Sequence, residues 1–402
     1  MSSSIVRPLV PAELGDFWEI VVLAGSDGYY PKEKEKRVKW FERLVEASGS
    51  PFYYGAFRDG KMAGGMAIDS FEINVRSAMV RLSSVGMVHT DMLHKKEKVC
   101  KDMMEYFIQS NREKGVSLLT LTPFRPDFYK QMGFGYGSCL YQYRIPPASF
   151  PNKGSRECLS YIGMERMQDY LACVDRIVRK THGMIKSFWT ISGPFRDGHR
   201  VLAYEQNGEI GGILAFSFGG AREMVIDALL YEDTRALRAF CAFLHAQSDQ
   251  FDRIAFSTPD PHFYYILHDP TDGLKNLECC ASIIHNMFRV IDVPGIFNEL
   301  RGVNFNDQSA VIEIAVRDSF CPQNAGSTFV AFADGRPRVS DAQSVDAKID
   351  LDISDFSSLL MGAIDVRTLC RLGLAEIQSE RELALLDRIF TFGQMPLTTG
   401  GL

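Results

Sequence analysis

Several features are absent from this sequence of 402 residues, and each absence excludes a class of protein. No stretch approaches the roughly 18 consecutive apolar residues of a membrane-spanning helix. The nine cysteines contain no C-x-x-C pair and are odd in number, which favours reduced thiols over a disulfide framework. The N-terminal segment has no basic stretch leading into an apolar run. We therefore expect a cytoplasmic location and no membrane partner.

Positive charge is not in excess either, because 44 Lys and Arg face 50 Asp and Glu, a net charge of -6. A chain of this charge has no overall attraction to nucleic acid, so we expect no nucleic-acid partner. The eight histidines form no H-x-x-x-H pair and no cluster with metal-ligand spacing, so we expect no metal. Polyanions are therefore a poor choice of partner for this protein.

The patterns that are present indicate a mixed sheet with flanking helices, on a chain too long for one hydrophobic core. In the first 122 residues the apolar periodicity alternates between the helical and the strand period. It predicts strands over 5–9, 52–57, 61–68, 77–88 and 116–122, and helices over 12–24, 32–47 and 99–115. Asp59-Gly60 predicts a hairpin between two of the strands, because both residues tolerate positive φ.

A second copy of this hairpin lies 148 residues further along the chain. Arg58-Asp59-Gly60-Lys61-Met62-Ala63-Gly64 corresponds to Gln206-Asn207-Gly208-Glu209-Ile210-Gly211-Gly212, and a strand and an amphipathic helix follow each copy. We infer an internal duplication. Prolines at 146, 147 and 151 separate the copies, and a third composition begins near Val290. The predicted domains are therefore 1–150, 151–289 and 290–402, the last a small α+β domain.

Two segments of the first copy resemble the GNAT acetyltransferase superfamily. They are the strand, loop and helix over 84–104 and the segment 122–135, which ends in the run Phe128-Tyr129-Lys130-Gln131-Met132-Gly133-Phe134-Gly135. In that superfamily the N-terminus of the helix after the fourth strand binds the pyrophosphate of coenzyme A through free backbone N–H groups and the helix dipole. The resemblance implies an acetyl-CoA site in residues 1–150.

Along its whole length the chain is similar to the Eis family. Besides the run 128–135, the motifs that carry this similarity are Asp292-Val293-Pro294, the segment 318–326, and the helical pair at 359–362 and 372–373. The family implies the fold class α/β and α+β: tandem GNAT-type mixed sheets with flanking helices plus a C-terminal sterol-carrier-protein-like α+β domain. It also implies acetyl transfer to amines and assembly as a homo-oligomer, a hexamer.

The resemblance implies that eight residues contact acetyl-CoA. They are Met87, Val88, Thr90, Lys95, Lys96, Lys98, Val99 and Phe124. Lys98 departs from the family, which has a glycine there that lets phosphate approach the backbone. The run 95–98 is either a solvated helix start or a phosphate site, and cations at a helix N-terminus favour the second because the dipole opposes them unless an anion is present. The second copy lacks the basic turn, so we expect one cofactor site per chain.

Two residues are implied as catalytic, Tyr129 and Leu402. Tyr129 matches the family tyrosine that protonates the departing thiolate, whereas without the match it would be a half-buried core residue. The C-terminal carboxylate, here on Leu402, is the implied base for the amine, and it requires a buried tail because desolvation raises the pKa of a carboxylate. The polar, glycine-rich composition of 395–402 instead predicts a frayed end.

Asp27, Tyr29 and Tyr30 align with the family's amine pocket. Asp27 would pair with a cationic substrate, and the two tyrosines would form apolar or cation–π walls. The alternative is that Ser26-Asp27-Gly28 only turns the chain between two helices.

The function predicted is an acetyl-CoA-dependent N-acetyltransferase acting on primary amines of cationic small molecules, aminoglycoside or polyamine-like, or on lysine-like groups. The alternative is a divergent family member with weak or lost acetyl-CoA binding that acts as a binding or assembly protein, and Lys98 distinguishes the two. A third reading, an apolar ligand in the C-terminal domain, lacks a long apolar lining in the sequence.

Overall fold

Three β-sheets organise the part of the chain that the computed structural model describes, residues 3–24, 52–185, 193–195, 198–220, 222–271, 280–342 and 344–398. The helix predicted over 32–47 lies outside these residues. None of the helices within them is long and apolar enough to cross a membrane. The sheets mix parallel and antiparallel strands, so the predicted fold class is confirmed.

The first sheet follows the order of elements that the sequence predicts. Its elements are β1 (Ile5–Pro8), α1 (Leu14–Ala24), β2 (Tyr53–Arg58), β3 (Lys61–Val75), β4 (Ala78–Thr90), α2 (Val99–Glu113), β5 (Leu118–Leu121), α3 (Pro126–Lys130) and β6 (Gly135–Tyr136). β1 to β4 are antiparallel neighbours, and β5 lies parallel to β4. Asp59 and Gly60 both have positive φ, which confirms the predicted hairpin turn.

Helices cover both faces of this sheet. Successive side chains of a strand point to opposite faces, so Met66 and Ala67 of β3 begin two separate apolar layers. Phe17 and Trp18 of α1 pack in the layer of Ala67, and Phe107 of α2 packs in the layer of Met66. The loop that joins β4 to α2 is thereby held between two packed elements.

The second sheet repeats the first. Its elements are β7 (Cys139–Ile145), β8 (Leu159–Ile162), α4 (Met167–Lys180), β9 (Arg200–Gln206), β10 (Glu209–Phe218), β11 (Glu223–Tyr231), α5 (Thr234–His245), β12 (Arg253–Thr258) and β13 (Cys280–Ile284). Asn207 and Gly208 again turn a hairpin at positive φ, and β12 lies parallel to β11 as β5 does to β4. The predicted duplication is therefore present in the topology.

The two sheets exchange one strand each. In the first sheet, β14 (Met287–Val290) lies between β5 and β6, although it follows the second copy in the chain. In the second sheet, β7 lies between β12 and β13, although it follows the first copy. Each sheet thus receives its penultimate strand from the other half of the chain, which the linear division predicted from the sequence does not anticipate.

The third sheet belongs to the C-terminal domain. Its elements are α6 (Val293–Glu299), β15 (Ala310–Arg317), β16 (Gly326–Ala333), β17 (Arg336–Ser340), β18 (Ala347–Asp352), α7 (Ile353–Leu360), α8 (Val366–Arg371), β19 (Ala375–Glu376) and α9 (Glu380–Phe390). β15 alternates buried and half-buried residues, as a strand with one covered face requires.

The C-terminal domain shares its apolar core with the first sheet. One continuous cluster joins Ile73 and Leu82 of the first sheet to Phe288 of the exchanged strand and to Phe297 and Leu359 of the C-terminal domain. Large apolar side chains buried in this way contribute about 1.5–3 kcal/mol each. The C-terminal domain is therefore packed firmly against the domain that carries the candidate site.

Candidate active site

An opening in the first sheet begins where β5 ends. β4 and β5 pair in parallel up to Val85 and Leu121, after which β4 continues to Thr90. The other edge of this stretch stays paired with β3. Among the described residues no strand covers the edge of β4 over 86–90. An extended ligand can therefore bind there as an added strand.

A β-bulge shapes this stretch. The pairing between β3 and β4 shifts register opposite Met66, and Met87 adopts φ 49°. Met87 packs beside the α1 cluster, whereas Val88 packs against the α2 cluster. Bulges of this kind redirect a strand edge next to active sites. Met87, Val88 and Thr90, predicted as cofactor contacts, all lie on this redirected edge.

The N-terminus of α2 faces the same opening and lacks a cap. Its N-cap residue, Lys98, makes no side-chain hydrogen bond to the helix. Among the described residues, no acceptor meets the backbone N–H groups of Val99, Cys100 and Lys101. Free N–H groups and the positive end of the dipole of this 15-residue helix together form an anion site.

In the loop before α2 the acidic residue is paired with other side chains, whereas the lysines are exposed. Arg58 binds Glu97 and donates to its carboxylate at 3.0 Å and to its carbonyl at 2.6 Å. The hydrogen bond with His94 lowers the pKa of that carboxyl, and the nearby Arg58 lowers it by a smaller amount. The three lysines at 95, 96 and 98 are exposed, and no carboxylate of the described chain pairs with them. Unpaired positive charge therefore surrounds the free helix end.

Lys98 keeps the backbone of the glycine that it replaces. It adopts φ 66° and ψ 13°, the left-handed region that glycine enters without strain. Lys96 has φ 66° as well. The departure from the family motif therefore adds a side chain at this position but leaves the path of the chain typical of glycine.

The corresponding helix end in the second domain is already occupied. Asp233 caps α5, and its carboxylate accepts from the N–H groups of Arg235 and Ala236 at 2.9 and 3.0 Å. Arg235 also pairs with this carboxylate at 2.7 Å. In the second domain the carboxylate of Asp233 thus occupies the helix N-terminus, whereas no described residue caps the corresponding end of α2 in the first domain.

Tyr129 lies in the apolar layer beside the opening. Its side chain is buried, with 4% of its surface exposed, in the cluster that contains Val85, Val99 and Leu121. Its ring meets those of Phe128 and Phe134 edge-on. Tyr129 therefore lies in the same apolar layer as the first residue of α2 and the last paired residues of β4 and β5.

The phenol of Tyr129 is protonated at neutral pH. Burial, and to a smaller extent the neighbouring Cys100, raises the pKa of Tyr129 above its ordinary value. Its hydroxyl donates to no other described residue, so the proton is not committed to a structural hydrogen bond. Phe124 stacks edge-on against the ring at 5.9 Å and is 71% exposed, which places it at the mouth of the site.

The remaining predicted site residues lie outside the described part of the chain. Asp27, Tyr29, Tyr30 and Leu402 all belong to this group. Residues 395–398 are not frayed, because Thr398 is fully buried and donates to the carbonyl of Gly183 at 2.8 Å. The prediction of a frayed end is therefore wrong for residues 395–398, where apolar contacts and backbone hydrogen bonds outweigh the polar composition.

The sequence analysis missed a repeat of the tyrosine motif. Thr258-Pro259-Asp260-Pro261-His262-Phe263-Tyr264 follows β12 as the run from Thr122 to Tyr129 follows β5, with one residue fewer. A short helical turn, Phe263–Ile266, stands in the place of α3. Tyr264 is 41% exposed and stacks on Tyr265, in contrast to the buried Tyr129. The second domain therefore keeps the tyrosine but not its buried setting.

Known families match the chain in three consecutive segments. Two profiles described as acetyltransferase (GNAT) domains match residues 6–137 and 184–290, more than half of the chain together. A profile described as a sterol carrier protein domain matches residues 293–399. No curated protein sequence matches the chain.

Solved structures of the same architecture are similar over almost the whole chain. A GCN5-related N-acetyltransferase from Anabaena variabilis is 16% identical with a TM-score of 0.83, covering 98% of this chain and 99% of its own. Eis1 from Mycobacterium abscessus is 18% identical with a TM-score of 0.79, covering 99% and 100%. At these identities the similarity shows the fold. The matching profiles show that the chain belongs to the GNAT acetyltransferases, with two such domains in tandem and a sterol carrier protein domain after them.

Proposed function

We propose that the protein transfers an acetyl group from acetyl-CoA to a primary amine of a small cationic molecule or a lysine-like group. Acyl transfer from an acyl-CoA follows from the family. The observation that carries the proposal is the N-terminus of α2, which no described residue caps. Three lysines without a described carboxylate partner, an open strand edge and a buried phenol accompany it. Acetyl-CoA has a negatively charged pyrophosphate, an extended arm and a thioester, and each part has a matching feature here.

Different residues of the chain bind different parts of acetyl-CoA. The N–H groups at 99–101 and the side chains of Lys95, Lys96 and Lys98 hold the pyrophosphate. The edge of β4 over 86–90 aligns the pantetheine arm. When bound, acetyl-CoA supplies the acetyl group as a thioester. Phe124 covers the mouth of the site and limits the access of water to it.

The chemical step needs a base for the amine and an acid for the sulfur. The neutral amine forms a C–N bond with the thioester carbonyl carbon, and the C–S bond breaks. Tyr129 donates its proton to the leaving thiolate, which its raised pKa permits at neutral pH because the phenol stays protonated. The carboxylate of Leu402 takes the proton of the amine, and the hydrogen bond of Thr398 supports this role because it fixes the tail at residue 398, four residues before the carboxylate.

The amine substrate is proposed to be cationic. The net charge of -6 attracts cations and leaves the lysines before α2 as a local exception for phosphate. Asp27 would pair with the substrate ammonium, and Tyr29 and Tyr30 would form the pocket walls. The proposal includes a cytoplasmic location and a hexameric assembly, both implied by the family resemblance alone.

Binding and turnover test this function together. The wild-type protein is titrated with coenzyme A and acetyl-CoA by calorimetry, and release of the free thiol is followed with polyamines, aminoglycosides and lysine. We expect binding of both nucleotides and turnover with at least one amine class. Absence of binding at millimolar ligand would favour the non-catalytic alternative, and binding without turnover would leave the acceptor assignment wrong.

Lys98 permits a direct test of the site backbone. We expect Lys98→Gly to be more stable than Lys98→Ala by about 1 kcal/mol, because only glycine adopts φ 66° without strain and this gain exceeds its extra chain entropy. Urea unfolding of both variants measures the difference. The charge is lost in both, so charge does not enter the comparison. An equal or lower stability of the glycine variant contradicts the left-handed conformation.

A further inference from the structure

The helix that carries Tyr129 cannot fix the tyrosine by itself. α3 has five residues, fewer than a helix needs to be stable on its own. The turn that follows folds back on it, with the N–H groups of Met132 and Phe134 donating to the carbonyl of Tyr129 at 2.9 and 3.2 Å. The orientation of the phenol therefore depends on what packs against this turn.

A buried arginine from the exchanged strand holds the turn. Arg289 of β14 is fully buried and donates through Nη1 to the carbonyl of Met132. A Cβ at position 133 would collide with its guanidinium, so Gly133, at φ 79°, is what allows the arginine to approach. The glycine of the run 128–135 therefore serves this contact.

The C-terminal domain supplies the partner of this arginine. Nη2 of Arg289 donates to both carboxylate oxygens of Asp318, at 2.9 and 2.7 Å, and neither side chain is exposed. The backbone N–H of Cys321 and the side-chain amide of Asn324 also donate to this carboxylate, at 2.9 and 3.1 Å. The segment 318–326, one of the motifs that carry the family similarity, thus completes a three-domain network behind Tyr129.

A second contact holds α3 from the same side. Lys130, next to the tyrosine, donates to Asp355 of α7 at 2.8 Å, and Asp355 is buried. The chain comes so close here that a Cβ at Gly135 would collide with the carbonyl of Ser354. Both ends of the turn are therefore fastened to the C-terminal domain.

We infer that Arg289, Asp318, Lys130 and Asp355 are positioning residues through which the C-terminal domain and the exchanged strand orient Tyr129 for proton donation. The inference rests on the proposed role of Tyr129. None of the four groups is part of the free helix end, so they act on the chemical step and not on the binding of acetyl-CoA.

The test uses the full chain with Lys130→Gln and Asp318→Asn, and Lys348→Gln as a matched control. Lys348 pairs with Glu313 at 2.8 Å with a similar exposed fraction, but within the C-terminal domain. We expect both test variants to lower kcat about tenfold with the KM for acetyl-CoA changed less than twofold. Lys130→Arg retains the ion pair and is expected to restore kcat. The control is expected to leave both constants unchanged.

Hydrogen exchange provides a readout that does not depend on turnover. Amides of the peptide over 126–136 are expected to exchange about tenfold faster in the test variants and at the wild-type rate in the control. If Asp318→Asn does not fold, Lys130→Gln decides. Unchanged exchange, or faster exchange with unchanged kcat, would overturn the inference. A wild-type protein without turnover would overturn the proposed function, and the exchange rates would still decide whether the network orders the tyrosine.

Discussion

Replacing Tyr129 with phenylalanine is expected to lower kcat for amine acetylation by about 10²- to 10⁴-fold, the usual contribution of a general acid. The change removes the hydroxyl alone. Its ring contacts with Phe124, Phe128 and Phe134 are kept, and no hydrogen bond to the described residues is lost. We therefore expect unchanged thermal stability and an unchanged Kd for coenzyme A, measured by thermal unfolding and calorimetry beside the steady-state rate.

Tyr264→Phe is the matched control for this experiment. Tyr264 occupies the corresponding place after β12, but it is partly exposed, and Asp233 caps the N-terminus of α5 in its domain. We expect it to leave kcat within twofold of the wild type. An equal loss in both variants, or none in either, would show that the buried phenol is not the acid.

The second large effect is expected at the anion site. Changing Lys95, Lys96 and Lys98 together to glutamine should weaken coenzyme A binding about 100-fold. Each lysine near a phosphate at the protein surface contributes about 1 kcal/mol, and about 3 kcal/mol corresponds to that factor. Calorimetry measures the Kd, and its dependence on salt should fall in the variant because fewer ionic contacts remain to be screened.

A second triple variant, with three lysines elsewhere on the surface replaced by glutamine, controls for the effect of net charge on binding. Lys61, Lys114 and Lys153 are also exposed, and their replacement by glutamine shifts the net charge from -6 to -9 as the first triple does, because three positive charges are lost in each. We expect at most a threefold change in Kd. If both triples weaken binding equally, long-range charge and not the helix end holds the phosphate.

The sequence predicted the local parts of the fold well. Asp59-Gly60 and Asn207-Gly208 require positive φ in a two-residue turn, and both turns are present. The apolar face of α2 was visible because residues such as Met103 and Phe107 recur at the helical period. The basic run before α2 and Tyr129 were also found in the sequence, and the structure brings them together.

Contacts between distant segments could not be predicted in the same way. Arg289 stands between Phe288 and Val290 in a strand, where a charged residue normally indicates an exposed face. The neighbouring sequence does not indicate that its partner, Asp318, is buried 29 residues further along the chain. Met87, which has a positive φ in the bulge, is not a glycine, so its residue type does not signal this conformation. The exchange of strands depends on which half of the chain completes each sheet, and the two halves have the same pattern.

The exchange of strands between the two sheets also limits how early the first domain can fold during synthesis. β6 and β14 are neighbours in the first sheet, yet about 150 residues separate them in the chain. At about 5–20 residues per second, the ribosome needs roughly 8 to 30 s to make that interval. Until then the first sheet has a gap beside β5 with unpaired strand edges, which are prone to wrong pairing. The GNAT segment of the first domain ends at residue 137. Its sheet nevertheless stays incomplete until the second domain has been synthesised, because β14 follows that domain in the chain.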